Sequence, residues 1–510
     1  MFYSLARRKR SGGAANSFKQ RVSSDASLNE CDKQVKRMAN KLWGGRFDKP
    51  ESAEMYDFLS AENVALDNAL VEYDIEGSLA HVCMLAKQGI IAKKEAAEIL
   101  SALAEVQKKA DAGKFSLDPA LEDVHTNVEA AVTAITPDGK KMHTARSRND
   151  QVALDTRMYM RAEINEISAA LLGLQQSLAE LSKEDCVFPT YTHTQVAQPA
   201  SLSFWCHAHW CGIERDLERL SQLYARVNVC PLGSGAVAGT TWNIDRECTS
   251  KLLGFFAPTL NPMDSVGSRG ELEAEMLSHL YLAMAHASKI ATDVILLANK
   301  RLVLLPDEYS TGSSMMPQKK NPDPFELVRG KASRMLGLYI HAAGLLKSVP
   351  SGYNLDSQES KYALMAGVKT AKQSFSILAH ALPKLSFDRG KIALELEEGY
   401  ACATELADLL AKKGVPFRSA HSVAGGIVKE CIAKKKFLSS LSAAEVSAAA
   451  GVKITDAELK QAVSVDKVAR FAAAYKIPVA SSHANALDAR EKALEAAHTL
   501  LEKEVKALMK

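Results

Sequence analysis

Four polar segments of the chain carry side chains suited to acid–base work on an anionic substrate. They are Glu122-Asp123-Val124-His125-Thr126-Asn127, His143-Thr144-Ala145-Arg146-Ser147-Arg148-Asn149-Asp150-Gln151, Thr192-His193-Thr194-Gln195, and Gly312-Ser313-Ser314-Met315-Met316-Pro317-Gln318-Lys319-Lys320-Asn321-Pro322. Ser147, Arg148 and Asn149 stand just ahead of a long apolar periodicity, where side chains, backbone N–H groups and a helix dipole can hold a carboxylate together. The 312–322 stretch joins flexible Gly and Ser to Lys319 and Asn321, the composition of a loop that closes over an anion. Any one of these segments alone reads as a capping turn.

Other familiar patterns carry less. Gly233-Ser234-Gly235 with Gly239 lacks the G-x-G-x-x-G spacing and a preceding strand. Cys206-His207-Ala208-His209-Trp210-Cys211 has metal-ligand residue types, but on a helix positions 207 and 209 lie about 200° apart and cannot share one ion. No nucleophile elbow of the G-x-S-x-G type occurs.

The elements that must position these segments are long helices. No proline occurs between Pro137 and Pro189 or between Pro262 and Pro306. Ile164, Ile167, Leu171, Leu174, Leu178 and Leu181 repeat every three or four residues, as do Leu277, Leu280, Met284, Ala287, Ala291 and Val294. A third run joins Leu364, Val368, Ala371, Phe375, Leu378 and Leu382. Each is the apolar stripe of an amphipathic helix, and about 35 residues of helix extend about 50 Å. Three such rods predict an elongated, mostly α bundle. Strand signals are few, and breaks at Gly414-Val415-Pro416 and Gly451-Val452 mark shorter helices in the tail. The expected division is an extension over 1–40, an N-terminal helical domain over 41–145, the long-helix bundle over 146–394 and a small helical domain over 395–510.

The chain has 510 residues, 47% apolar and 24% charged, a composition that excludes wholesale disorder. Its net charge of +3 gives no argument for nucleic acid. The most apolar stretch, 276–305, is broken by Lys289, Asp293, Lys300 and Arg301, so no membrane span is predicted. Nine irregularly spaced cysteines fit a reducing compartment. Residues 1–24 hold Arg7, Arg8, Lys9, Arg10, Lys19 and Arg21 without an acid, which reads either as an organelle transit peptide or as a solvated tail. The expected location is therefore cytoplasmic, or a plastid or mitochondrion if that segment is an address.

Taken together the motifs are more specific. Gly312–Pro322 resembles the signature loop of the fumarase/aspartase superfamily, and its Gly-Ser-Ser-Met-Met-Pro-Gln-Lys-Lys-Asn-Pro-Asp form resembles the argininosuccinate lyase branch. Trp43-Gly44-Gly45-Arg46-Phe47, Glu122-Asp123-Val124-His125-Thr126, Ser147–Gln151, Tyr191-Thr192-His193, Tyr353-Asn354 with Gln358 and Lys361, and Val415-Pro416-Phe417-Arg418 with Ala420-His421 reinforce the likeness. It spans the chain from about residue 41 onward.

The resemblance implies a three-domain fumarase/aspartase-like fold, with a twenty-helix core in a homotetramer and active sites shared among three subunits. It also implies cleavage of argininosuccinate to arginine and fumarate without cofactor or metal, and no nucleic-acid or membrane partner. By the same resemblance Ser313 is the base, His193 the general acid and Glu326 the carboxylate that orients it. Lys319 and Asn321 meet the substrate carboxylate; Ser147, Arg148, Asn149, Thr192 and Arg269 hold the succinyl side; Tyr353, Gln358, Lys361 and Ser60 hold the argininyl end. Gly267-Ser268-Arg269-Gly270-Glu271 fits the family pattern loosely, and Met315 and Thr194 stand where leucine is common. The alternatives are another lyase of the superfamily, from which Gln318-Lys319-Lys320 separates this chain, and a catalytically silent lens-type paralogue.

Overall fold

The computed structural model describes residues 52–184, 186–472, 477–478 and 481–510. The Trp43–Phe47 motif and the 1–40 extension lie outside the described residues. So does the side chain of Ser60.

The first helices are α1 (Ala53–Asp67), α2 (Val71–Lys87), α3 (Lys93–Asp111) and α4 (Val124–Ile135). Then come α5 (Arg148–Leu181), the antiparallel hairpin of β1 (Val187–Thr192) and β2 (Gln195–Ser201), and α6 (Leu202–Val227). Short β3 (Val229–Cys230) and β4 (Ala257–Pro258) flank α7 (Arg246–Leu252), and α8 (Pro262–Gly267) leads into α9 (Glu271–Asn299). After β5 (Val303–Leu304) follow α10 (Asp323–Leu345) and α11 (Ser360–Ala381), and β6 (Ser386–Phe387) pairs back onto β5.

Helices α5, α6, α9, α10 and α11 pack on one another as the bundle. Every residue of the three expected stripes is buried, from Ile164 and Leu277 to Leu364 and Leu382. Burying such side chains contributes about 1.5–3 kcal/mol each, which fixes the rotation of each helix. The lengths differ from expectation: α5 has 34 residues, but α9 has 29 and α11 has 22. At 1.5 Å per residue α5 alone is about 51 Å long. Beyond the three expected stripes, α6 buries Cys206, Trp210, Ile213, Leu217 and Leu220, and α10 buries Phe325, Val328, Ala332 and Met335, at the same three- and four-residue spacing. By length and composition α9 would suit a membrane span, yet Leu277, Leu280, Met284, Ala287 and Val294 face the bundle interior.

One core runs unbroken from Val64 to Ala401 across residue 145. A second, formed by Leu406, Leu410, Ala420, Ala424, Val446 and Leu459, belongs to α13 (Ala403–Lys412), α14 (Phe417–Lys434), α15 (Ala443–Ala450) and α16 (Asp456–Val463), which follow α12 (Arg389–Glu398). The small domain expected over 395–510 is corrected here. After α17 (Val465–Ala472), helix α18 (Ser482–Leu508) returns to the main body, burying Leu501 and Val505 there. Glu504 pairs with Lys87 at 2.9 Å, and the Arg490 guanidinium lies 4.8 Å from the Tyr224 ring centre. The described cysteines are all free thiols.

Candidate active site

The start of α5 is built by reciprocal capping. Ser147 Oγ accepts from Asn149 N at 3.2 Å, and Asp150 Oδ1 accepts from Ser147 N at 2.9 Å. Asp150 Oδ2 accepts in turn from Gly233 N at 3.0 Å and Gly235 N at 2.9 Å. The glycine loop therefore cradles a carboxylate of the chain itself. Gly235 has φ +60°, and a Cβ there would come within 2.5 Å of the Gly239 carbonyl oxygen, so only glycine fits. Burial pushes the Asp150 carboxyl up to about 6, against the pull of the three N–H groups and Arg146. Asn149 Nδ2 donates to Ala236 O at 3.1 Å, joining the same loop.

Arg148 is not an isolated cation. Its Nη1 lies 3.0 Å from both Glu122 Oε2 and Asp123 Oδ2, and Nη2 donates to Thr126 Oγ1. Asp123 also caps α4 by accepting from Thr126 N at 2.8 Å. The start of α4 thus orients the guanidinium and shares its charge.

Close by stand the succinyl-side candidate Arg269 and the set expected for the argininyl end. The Arg269 guanidinium lies 5.6 Å from the Tyr353 ring centre, and Gln358 Nε2 donates to Leu59 O at 2.8 Å. Lys361 Nζ donates to Asn63 Oδ1 at 2.7 Å and Asp67 Oδ1 at 2.6 Å. Asn63 and Asp67 had no assigned role in the sequence, and they are the α1 residues that meet Lys361. Their one sequence signal is a four-residue spacing on a helix.

The remaining candidates lie at the other end of the bundle. Thr192 and His193 are exposed at the hairpin tip. Thr192 pairs with Gln195, so His193 and Thr194 form a two-residue turn with φ +52° and +63°. Hairpin geometry favours that conformation, but it strains non-glycine residues. Thr311 N donates to Asn321 O and Asn321 N to Thr311 O, at 3.3 and 2.8 Å, closing the stem of the Ser313 loop. Lys320 Nζ anchors that stem to Asp307 at 2.6 Å and to Leu305 O, and Asn321 Nδ2 donates to Gly312 O at 3.2 Å. Ser313 Oγ accepts from Met315 N at 3.3 Å and Met316 N at 3.1 Å. Two N–H dipoles aimed at one oxygen favour negative charge on it. Lys319 is exposed and has no ion-pair partner among the described residues. Glu326, in the first turn of α10, is exposed with Arg329 4.0 Å away.

The helix directions make this separation unavoidable within one chain. Ser147 caps the first residue of α5, whereas the hairpin carrying His193 follows its last. At that second end the Phe188 and Phe387 rings lie 6.2 Å apart, and β6 pairs with the β5 strand that leads to the Ser313 loop. Ser147, Arg148, Asn149, Arg269, Tyr353, Gln358 and Lys361 thus lie at one end as a candidate half-site, and Thr192, His193, Ser313, Lys319, Asn321 and Glu326 lie at the other.

A single group among the described residues has metal-ligand geometry: Asp74, His125 and Asp155, all buried. It is arranged as a hydrogen-bonded network. His125 Nδ1 lies 2.8 Å from Asp74 Oδ1 and 3.5 Å from Asp155 Oδ2. Burial opposes charge on Asp74, but His125, Arg146 and Gln151 outweigh it and hold the carboxyl below its usual range. Burial and the Asp74 charge hold the Asp155 carboxyl well above that range. In the Cys206–Cys211 segment, His209 turns to Asp293 at 3.1 Å while His207 faces Cys211, on different sides of α6.

A five-helix bundle with a Ser-Arg-Asn helix start at one end and a Gly-Ser-Ser loop at the other is the architecture of the fumarase/aspartase superfamily. Solved structures agree. EDDS lyase in complex with formate superposes with a TM-score of 0.75 at 26% identity, covering 90% of this chain and 97% of that one. The class II fumarase of Schistosoma mansoni shares the fold at 0.67 and 15% identity, covering 86% and 95%. A family profile described as lyase matches residues 45–337, and one described as argininosuccinate lyase C-terminal matches 400–470. The argininosuccinate lyase of Desulforamulus reducens is 44% identical over 410 residues, covering 79% of this chain and 88% of that protein. That of Thermus thermophilus is 41% identical over 418 residues, covering 81% and 90%. The chain belongs to the argininosuccinate lyase family.

Proposed function

We propose that the protein cleaves argininosuccinate reversibly to arginine and fumarate by β-elimination, as a homotetramer whose sites, each shared among three subunits, combine half-sites of different chains. The observation that carries the chemistry is Ser313 Oγ receiving two backbone N–H groups on a loop that also bears Lys319 and Asn321. The proton to be removed lies beside a carboxylate, and its loss places a second negative charge there, giving an aci-carboxylate carbanion. Ser313 acts as its alkoxide, its own hydroxyl proton given up to solvent before the loop closes, and becomes the neutral hydroxyl as it takes the substrate proton. Lys319 and Asn321 meet the charge that develops on the carboxylate. The carbanion's electron pair then forms the C–C double bond as the C–N bond breaks, and His193 delivers a proton to the leaving guanidinium nitrogen, with Glu326 orienting its ring. The second carboxylate of the succinyl part falls to Ser147, Arg148 and Asn149, with Thr192 and Arg269 in support. Tyr353, Gln358 and Lys361 take the argininyl end. The reaction proposed here uses no cofactor.

The separation of the half-sites supports the assembly, because antiparallel packing of bundles places the Ser313 end of one subunit against the Arg148 end of another. Leu282 on α9 and Leu327 and Ile340 on α10 are exposed in the single chain, with Leu327 at 62% and Ile340 at 60%, supporting burial between bundles. The test adds argininosuccinate to purified protein and follows fumarate by its ultraviolet absorbance. Absence of fumarate release would overturn the proposal.

A further inference from the structure

Asp67 has no part in the roles assigned above, yet its carboxylate is completely buried and both its oxygens are engaged. Oδ1 accepts from Lys361 Nζ at 2.6 Å, and Oδ2 accepts from Val124 N, the first N–H of α4, at 3.1 Å. We propose that Asp67 is the positioning residue of the argininyl pocket, fixing Lys361 against the same helix start that orients Arg148. The inference rests on the functional reading above.

An ammonium group has three donors. Asn63 and Asp67 occupy two of them, so one N–H of Lys361 is left in a fixed direction for a substrate acceptor, such as the α-carboxylate of the argininyl part. The lysine is buried, which disfavours its charged form, and Asp67 is the chief counterweight. Arg269 works against that charge, and Asp123 adds to it. Asp155, also near, is itself affected by the Lys361 charge. The second Asp67 oxygen sits at the positive end of α4. The adjoining residue, Asp123, contacts the Arg148 guanidinium at 3.0 Å. One chain of contacts therefore links the group for the argininyl end to the group for the succinyl end, and Asp67 is its only member that touches both Lys361 and α4.

The test compares wild type with Asp67→Asn and Lys361→Met, measuring the reverse reaction against arginine and fumarate separately. In Asp67→Asn the amide oxygen can still accept from Val124 N, while the amide NH2 turns toward Lys361 and displaces it. We expect the KM for arginine to rise at least tenfold and the KM for fumarate to stay within about threefold, since only the lysine arm is lost. The arginine KM should also climb with pH above neutrality in the variant alone, as Lys361 loses its main counter-charge. Asn63→Asp added to Asp67→Asn returns a carboxylate to the lysine from the adjacent helical turn and should restore arginine KM, and this pair also serves if Asp67→Asn alone does not fold. Equal rises in both KM values, or a lowered melting temperature with unchanged KM values, would overturn the assignment. A wild-type protein that does not interconvert these substrates would overturn the functional reading instead. The Asp67–Lys361 brace is then decided by melting, where it requires the double variant Asp67→Asn/Lys361→Met to be no less stable than the worse single one.

Discussion

Ser147 caps the first turn of α5 and His193 turns the hairpin after its last, so a helix about 51 Å long stands between them. No side-chain movement within one subunit can bring both to one substrate. The reaction proposed above therefore needs another copy of the chain to complete its site.

Mixing two inactive variants tests this. Arg148→Ala removes one half-site and Ser313→Ala the other, and each alone should be nearly inactive. Co-expressed in one assembly they should recover activity, because some interfaces then bring a wild-type Arg148 end to a wild-type Ser313 end. With Arg148 and Ser313 supplied by different subunits and random mixing, roughly a quarter of the sites hold both. No recovery in a mixed tetramer, verified by mass spectrometry, would mean that both ends act in one subunit.

The Ser313 assignment is sharper. Ser313→Ala leaves the Thr311–Asn321 stem and the Lys320 anchor in place. Folding and substrate binding should persist while kcat falls by at least roughly 10³, about 4 kcal/mol of transition-state stabilisation. Ser314→Ala removes an identical group one position away and should cost far less. Equal losses in the two variants, measured by stopped-flow absorbance, would move the role of base to His193.

Asp150 organises the carboxylate-binding half without being expected to touch substrate. Its oxygens face only N–H donors, from Ser147, Gly233 and Gly235. Asp150→Asn presents an NH2 group to some of them and should lower stability by about 2 kcal/mol. Urea unfolding reads this directly, and an unchanged midpoint would show that the cradle is dispensable.

Acid sensitivity should come in part from His81. Burial, aided by the charge of Arg146, pushes its imidazole down to about 3, while its ring Nε2 lies 2.8 Å from Thr144 O. The unfolded chain takes up this proton near pH 6.5 and the folded chain does not, so the unfolded state binds more protons between pH 6.5 and 3. Stability is therefore full above pH 6.5 and falls as pH drops through that window, by about 2 kcal/mol at pH 5 from this residue. Comparing urea midpoints of wild type and His81→Gln at pH 7 and pH 5 isolates the contribution. The variant should lose less on acidification.

Much of the architecture was legible because it is local. A stripe such as Leu277, Leu280, Met284, Ala287, Ala291 and Val294 encodes a helix and its buried face without reference to any partner, and all six are buried. The Gly312–Pro322 loop was equally readable, since its glycine, serines and lysine are adjacent in the chain. Only the tertiary structure decided what depends on how separate helices dock. Lys361 meets Asn63 and Asp67 across nearly three hundred residues, and no periodicity records which helix start faces which lysine. The Gly233–Gly235 turn looked like a weak phosphate loop until its neighbour proved to be Asp150, a carboxylate that uses the same N–H groups a bound anion would use. The division of the site into two half-sites was decided the same way. Sequence names the residues that can do the chemistry, whereas helix length and direction determine which of them a single chain can bring together.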